Sequence, residues 1–251
     1  MPTLQRVHAS HSTNSVGKLN CQEFQAPFWK SGNSAVLVGS GEAPGEYPPG
    51  LVRHVEYFRS AGTKIFHGIE MMQDTYLSLI RAQEKYYAND PAVCIHHCKM
   101  QDFDFQQYKI VNIDYDACTD WIRHFYWLRE SAELSYITDL DFLFKNQVST
   151  IKTISCTFTQ RTLQMDKIRA VGKVLNVEQK SKQVWKTVPT QDGLKHKQVH
   201  SIDYIQADVA QALFSKMYPE FKFNTFSYQG VNTGGNGIPM LTIVGVKKYG
   251  S

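Results

Sequence analysis

The sequence lacks the features that mark membrane, secreted and disulfide-bonded proteins. None of its 251 residues lies in a stretch of 18 uncharged apolar residues, so we predict no membrane-spanning helix. The first 18 residues, MPTLQRVHASHSTNSVGK, are mostly polar and lack the apolar centre of a signal peptide. The five cysteines are odd in number and scattered, at positions 21, 94, 98, 118 and 156, so no disulfide framework is expected. These absences favour a reducing, cytoplasmic setting.

Several cofactor and metal motifs are also missing. The loop GSGEAP has Pro44 where the dinucleotide fingerprint G-x-G-x-x-G requires its third glycine, which argues against a nicotinamide enzyme. No phosphate-binding P-loop and no Ser-His-Asp arrangement is visible. In CIHHCK, alternate residues Cys94, His96 and Cys98 of one strand cannot readily close a tetrahedral shell, and no second Cys/His pair has a zinc-like spacing. We therefore predict no metal site.

The chain is rich enough in apolar residues to form one full core. Hydrophobic residues make up 42% of the sequence and aromatic residues 12%, which fits a single domain. Five strand-like runs, AVLV, TKIFHGIE, AVCIHH, YKIVNID and TIKTISCTFT, alternate with segments of helical spacing. This alternation predicts βαβ units and a mainly parallel sheet. The right-handed crossover rule then favours a three-layer, doubly wound sandwich.

The C-terminal part departs from this alternation. SIDYIQADVAQALFSKMYP predicts a helix that begins near Ser201 or Asp203, and FKFNTFSYQG and IPMLTIVGVKK then form two β runs joined by VNTGGNG. A turn rich in Gly and Asn joins antiparallel neighbours. We therefore expect an α/β fold with a mainly parallel seven-stranded sheet that closes in a C-terminal antiparallel hairpin. Residues 1–33 would be an N-terminal arm and 34–251 the domain, with a basic insertion at about 166–200.

Candidate binding residues follow the predicted strands, because ligands of open α/β sheets bind beyond the carboxyl ends of the strands. Gly39 and Gly41 let the backbone approach a ligand, or simply form a flexible loop. Glu70 ends the second strand, where a carboxylate can accept hydrogen bonds from both hydroxyls of a ribose. Alternatively, its negative charge interacts with the dipole at the N-terminus of the next helix. Asp102, after the third strand, could meet an adenine edge or be an ordinary acidic loop residue.

The order of these features resembles the class I S-adenosylmethionine-dependent methyltransferases. The resemblance covers residues 34–248, and IFHGIEMMQDTYLSLIRAQ is its most specific part. It implies S-adenosylmethionine as the cofactor, with the methionine part of the cofactor against Gly39, Ser40 and Gly41. It also implies that Glu70 holds the ribose, Met71 packs on the adenine and Asp102 contacts the adenine amino group. The chain departs from the family in its first loop, which prolines 44, 48 and 49 stiffen.

The segment IDYDA ends the fourth strand, where the resemblance places the transferred methyl group. Asp114, Tyr115 and Asp116 are therefore the catalytic candidates. A carboxylate could orient an amino group towards the methyl carbon, and an aromatic ring could stack on a flat acceptor, so that positioning provides much of the rate. Asp116 can also be read as the cap of the following helix. The prolines of the adenine and cytosine amino-methylating enzymes are missing, so DYDA only weakly suggests that substrate class.

A basic segment follows the fifth strand. Between positions 167 and 197 there are eight Lys or Arg residues against two acidic ones, a balance of +6, while the whole chain has a net charge of +4. Basic residues around an aromatic can follow a phosphate backbone and stack a base, so we expect Lys182, Trp185 and Lys186 to bind substrate. Arg161 could meet a phosphate or carboxylate, or lie on the surface. The whole segment can also be read as a solvated insertion.

These observations predict a methyltransferase that acts on RNA or DNA by direct methyl transfer, without a metal. A methyltransferase for small molecules or proteins is one alternative. A non-catalytic binding protein with the same fold is another, since the first loop and DYDA both depart from the family pattern. Fold alone does not decide between them.

Overall fold

The helices and strands follow one another in the order that the sequence predicts, with additions. The computed structural model describes residues 16–29, 34–38, 50–106, 108, 110–114, 142–144, 151–160, 165–190, 193–231 and 237–248. The helices are α1 Val16–Trp29, α2 Gly50–Ser60, α3 Gln73–Tyr87, α4 Met165–Val174 and α5 Gln206–Met217. The strands are β1 Ser34–Val38, β2 Ile65–Glu70, β3 Val93–His97, β4 Ile110–Asp114, β5 Thr153–Thr159, β6 Lys180–Thr190, β7 Gly193–Asp203, β8 Phe221–Val231 and β9 Gly237–Lys247. A short 3-10 helix spans Met100–Asp102.

Seven of these strands form one sheet in the order β3-β2-β1-β4-β5-β9-β8. Strands β1 to β5 pair in parallel, and β9 pairs antiparallel with both β5 and β8. The predicted α/β class and the closing antiparallel hairpin are therefore confirmed. The chain leaves β1 towards β2 on one side and later returns to β4 on the other, so strand order reverses between β1 and β4. Such a reversal is where open α/β sheets bind ligands.

Both faces of this sheet are covered, as parallel strands require. On one face, Trp29 of α1 and apolar residues of α2 and α3 pack on Phe66 and Ile95. On the other face, α5 packs on β8 and β9, and α4 lies beside α5 in the same core around Phe158 and Phe214. The sheet therefore lies between two helical layers in the described part of the chain. No helix in the described ranges is long and apolar enough to cross a membrane.

Residues 16–29 differ from the loosely packed arm that the sequence predicts. They form α1, in which Trp29 is fully buried and stacks on Phe58 with ring centroids 3.9 Å apart. Two other buried residues of α1 contact hydroxyls of the sheet: Cys21 Sγ lies 3.0 Å from Thr242 Oγ1, and Gln25 donates to Ser155 Oγ at 2.6 Å. A polar contact surface gives no apolar stripe in the sequence, which is why the pattern does not predict this helix.

The basic insertion is also more regular than predicted. Its first part is α4, whose Ile168 and Val171 are buried in the core. Its second part is a two-stranded antiparallel ribbon, β6–β7, which is separate from the seven-stranded sheet. Helix α5 begins at Gln206, not near Ser201 or Asp203, because the latter two residues belong to β7. The Asp203 carboxylate accepts hydrogen bonds from Arg169 Nη2 and from the Tyr204 backbone N–H instead of capping α5.

Replacing Trp29 with alanine tests whether α1 belongs to the core. Trp29→Ala removes a fully buried ring stacked on Phe58, so we expect the free energy of unfolding to fall by about 3–5 kcal/mol. Trp29→Phe keeps a stacking ring and should lose less. The exposed Glu23 of the same helix provides a control, since Glu23→Ala should change stability by less than about 0.5 kcal/mol. Urea unfolding measures all three, and equal stabilities for Trp29→Ala and wild type would contradict this packing.

Candidate functional site

The carboxyl ends of β1 to β4 meet at one edge of the sheet. Val38, the last residue of β1, pairs with Ile69 on one side and Ile113 on the other. Glu70 and Asp114 each follow one of these partners, so they flank the end of β1 from opposite sides. Since neighbouring strands lie about 4.8 Å apart, the backbones of Glu70 and Asp114 are separated by roughly 10 Å. Part of a nucleoside can lie across such a gap.

Other predicted residues of this edge lie outside the described ranges. Gly39, Ser40, Gly41, Tyr115, Asp116 and Arg161 belong to this group. Position 39 directly follows β1, and position 115 directly follows β4. The chain connectivity therefore starts both predicted loops at the edge that carries Glu70. Their roles remain predictions.

Glu70 is a buried carboxylate at the tip of β2. Only 7% of the residue is exposed, and its Oε1 accepts a hydrogen bond from the Met72 backbone N–H at 2.7 Å. Met72 precedes α3 and offers no side-chain cap, so Glu70 satisfies an N–H group at the start of that helix. A carboxylate has about four acceptor positions, and this bond is compatible with additional hydroxyl donors. Both sequence interpretations of Glu70, ribose acceptor and helix-start acid, therefore fit its geometry.

Exposed apolar groups surround the tip of β2. Met71 and Met72 are 60% and 59% exposed, although they are large and apolar. Beside them, the ring of Tyr76 stacks on that of His97 with centroids 4.7 Å apart, and His97 Nε2 lies 3.2 Å from the Met71 carbonyl oxygen. Thioethers next to a flat aromatic pair form a surface on which a planar ring can pack. Sequence reasoning missed Tyr76 and His97, although the position of His97 at the end of β3 was a usable signal.

Asp102 is exposed in the 3-10 helix after β3. The buried side chain of Met100 anchors this turn in the core. The Asp102 backbone N–H donates to the Lys99 carbonyl oxygen at 3.1 Å, two residues beyond the end of β3. Burial, and after it the charge of Asp102, raises the pKa of the Cys98 thiol. The position suits the predicted contact with a ligand held at the β2 tip. Within the described residues, no group of three or more His, Cys, Asp or Glu side chains could hold a metal ion.

A half-buried histidine pair fixes the segment that carries Asp102. His67 Nδ1 lies 2.6 Å from the Tyr108 hydroxyl oxygen and 2.9 Å from His96 Nε2. The ring of Phe103 packs against all three of these rings. Burial, and after it the charge of His96, lowers the pKa of His67 to about 4, and burial also lowers the pKa of His96. Both rings are therefore neutral near pH 7, and they tie the 98–108 segment to the sheet.

Among the comparisons with known proteins, only the one with solved structures finds similar proteins. No protein-family model and no curated protein sequence matches the chain. An S-adenosylmethionine-dependent methyltransferase from Clostridium acetobutylicum is 10% identical, with 94% of each chain covered and a TM-score of 0.45. Magnesium protoporphyrin IX methyltransferase from Synechocystis, solved with bound SAH, is 11% identical over 91% of this chain and 84% of its own, with a TM-score of 0.46.

A dimethyladenosine transferase from Plasmodium falciparum is 8% identical over 93% of this chain and 62% of its own, with a TM-score of 0.46. All three scores are below 0.5, so these matches say what the chain is similar to and nothing about its substrate. The strand order and the antiparallel β9 of the chain itself define an open, doubly wound α/β fold, and folds of this kind bind ligands at the edge where β1, β2 and β4 end.

Acidification should destabilise the protein through the histidine pair. His67 takes up a proton near pH 6.5 in the unfolded chain but only near pH 4 in the folded protein. Between these values the unfolded state binds more protons, so the free energy of unfolding falls as the pH is lowered through this window. For a half-buried ring we expect a loss on the order of 1–2 kcal/mol, measured by urea unfolding between pH 7 and pH 4.

The variant His67→Asn should flatten this pH dependence. It removes the titrating ring of His67 and keeps an oxygen that can accept the Tyr108 hydroxyl. His96 remains, so part of the dependence should persist. Parallel pH profiles for wild type and variant would contradict the assignment.

Proposed function

We propose that the protein is an S-adenosylmethionine-dependent methyltransferase that acts on RNA or DNA. The observation that carries this proposal is the buried Glu70 carboxylate at the tip of β2, next to the end of β1 at the reversal of strand order. A carboxylate has about four acceptor positions in its plane, and the two hydroxyls of a ribose are donors whose spacing suits its two oxygens. The resemblance of the sequence to class I methyltransferases supports the same cofactor.

The neighbours of Glu70 fit the remaining parts of the cofactor. The adenine would pack on Met71 and the Tyr76–His97 ring pair, with its amino group towards Asp102. The methionine part would extend along Gly39, Ser40 and Gly41, past the end of β1. This arrangement runs the cofactor across the edge from β3 towards β4, so its sulfonium would point to Asp114.

The chemistry proposed for this edge is direct displacement. The bound cofactor supplies an electrophilic methyl group on a sulfonium sulfur. The role of Asp114, Tyr115 and Asp116 would be to hold the acceptor so that its lone pair points at the methyl carbon. Alignment of this kind provides a large share of the rate enhancement of a two-substrate reaction. A carboxylate that accepts a hydrogen bond from an acceptor amino group achieves this without a metal.

Calorimetric binding of S-adenosylmethionine and S-adenosylhomocysteine tests the cofactor site. Glu70→Gln keeps an oxygen for the Met72 N–H but loses one acceptor for a ribose, so we expect affinity to fall tenfold or more, about 1.4 kcal/mol. Asp74→Asn removes the same charge from the exposed first turn of α3 and should bind like wild type. Wild type is expected to bind in the micromolar range.

The same preparations test methyl transfer with methyl-tritiated cofactor and pools of RNA, DNA and protein as acceptors. Label in RNA or DNA, lost in Glu70→Gln, is the expected result. Label in protein or small molecules alone would replace the nucleic-acid part of the proposal with the first alternative. No cofactor binding to folded wild type would refute the enzyme and leave a binding protein.

A further inference from the structure

The β6–β7 ribbon is a long arm with a regular register. Its strands have eleven residues each and pair along their whole length, from Lys180 opposite Asp203 to Thr190 opposite Gly193. At about 3.4 Å per residue the ribbon is roughly 35 Å long. It shares no ladder with the seven-stranded sheet. A two-stranded ribbon is marginally stable by itself, so contacts with the rest of the protein or with a bound partner must stabilise it.

The register gathers the lysines of the ribbon on one face. Successive residues of a strand alternate between faces, and directly paired residues share a face. Lys182 pairs with Ser201, Lys186 with Lys197, and Val188 with Lys195. All five lysines of the ribbon belong to this face: Lys180, Lys182, Lys186, Lys195 and Lys197. We call this surface the lysine face.

Trp185 belongs to the opposite face, since it lies between Val184 and Lys186 and pairs with Gln198. The predicted substrate residues Lys182, Trp185 and Lys186 are therefore divided between two surfaces. One stretch of a nucleic acid backbone cannot lie against both. The lysine face alone is the candidate for phosphate contacts.

The base of the ribbon is anchored by ion pairs. Lys180 donates to the Asp208 carboxylate of α5 at 2.6 Å. Across the ribbon, Asp203 accepts two hydrogen bonds from the Arg169 guanidinium of α4, at 2.9 and 3.3 Å. Charges at the base are thus balanced by partners within the protein, and they fix the ribbon to the domain.

The outer part of the lysine face differs from the base in its register partners. No acidic residue is paired with Lys182, Lys186, Lys195 or Lys197 in the register. The one acid between positions 181 and 202 of the sequence is Asp192, which falls between the two strands. Two lysines directly opposite each other, as Lys186 and Lys197 are, repel and weaken a ribbon. A polyanion laid along this face would turn that repulsion into attraction.

We propose that the lysine face binds the phosphate backbone of a nucleic acid and thereby holds the substrate of the proposed methyltransferase. The inference rests on the proposed function for the identity of that substrate. Lysines act as point charges for phosphates without reading sequence. A two-stranded ribbon is narrow enough for the major groove of duplex DNA, about 12 Å wide. The backbone is the shared chemistry of RNA and DNA, and the test separates the two.

Fluorescence anisotropy with the full-length protein tests this surface. The probes are labelled 20-base-pair DNA, the corresponding RNA duplex and a single-stranded RNA. The ribbon variant carries Lys182→Gln, Lys186→Gln, Lys195→Gln and Lys197→Gln. The matched control carries four exposed lysine changes elsewhere, Lys64→Gln, Lys85→Gln, Lys216→Gln and Lys222→Gln, with the same loss of charge. A third variant replaces the four ribbon lysines with arginine.

Four phosphate contacts should make wild-type affinity for DNA fall by about 100-fold between 50 and 200 mM salt. We expect the ribbon variant to lose most of this salt dependence and at least 30-fold in affinity at low salt. The control should lose less than about threefold, and the arginine variant should keep binding. The strongest probe identifies the nucleic acid class.

Equal losses in the ribbon variant and the control would overturn the proposal, as would no binding of wild type to any probe. The proposal would also be overturned if wild type bound vesicles of anionic lipid but no nucleic acid, and if the ribbon variant lost this lipid binding. Calorimetry with S-adenosylhomocysteine separates this inference from the proposed function. If wild type and ribbon variant both bind the cofactor but wild type binds no nucleic acid, the inference and the nucleic-acid part of the proposed function are refuted, and the cofactor site stands. Ribbon-dependent nucleic acid binding without cofactor binding supports the inference and refutes the enzyme.

Discussion

Parallel pairing of β1 to β5 is the constraint on which the rest of the structure depends. A parallel pair cannot be joined by a tight turn, so each connection must cross over the sheet. The crossovers from β1 to β3 place α2 and α3 on one face, α4 and α5, which follow β5, cover the other, and the strands are buried between them. The same pairing brings all carboxyl ends to one edge, where Val38 meets Ile69 and Ile113. Layers, core and candidate site all follow from this one choice of strand direction.

The candidate site combines a buried carboxylate with an exposed apolar surface. Glu70 is buried and bonded to the backbone at the start of α3, whereas Met71 beside it is mostly exposed. The stacked rings of Tyr76 and His97 extend this apolar surface. The His67–Tyr108 contact then holds the segment that presents Asp102. A polar anchor beside an exposed apolar surface is what a nucleoside requires, because its sugar is polar and its base is flat.

The sequence predicts much of the sheet because its strands obey simple periodicities. Five apolar runs, the final hairpin and the position of Glu70 at a strand end all follow from pattern alone. Helix α1 does not, since Gln25 is buried against the hydroxyl of Ser155 and such polar contacts leave no apolar stripe. The β6–β7 ribbon is not predicted because the many lysines of its two strands suggest a charged, solvated insertion. Its charge was visible in the sequence, but the shared face of Lys186 and Lys197 depends on the register.

The most direct measurement of the central claim is a crystal structure of the protein with S-adenosylhomocysteine. The account predicts both ribose hydroxyls within about 3 Å of the Glu70 carboxylate oxygens, a normal hydrogen-bond length. It also predicts the adenine against Met71 and the His97 ring, and the sulfur towards the end of β4. A ligand bound elsewhere, or with its ribose away from Glu70, would contradict the assignment of this edge as the cofactor site.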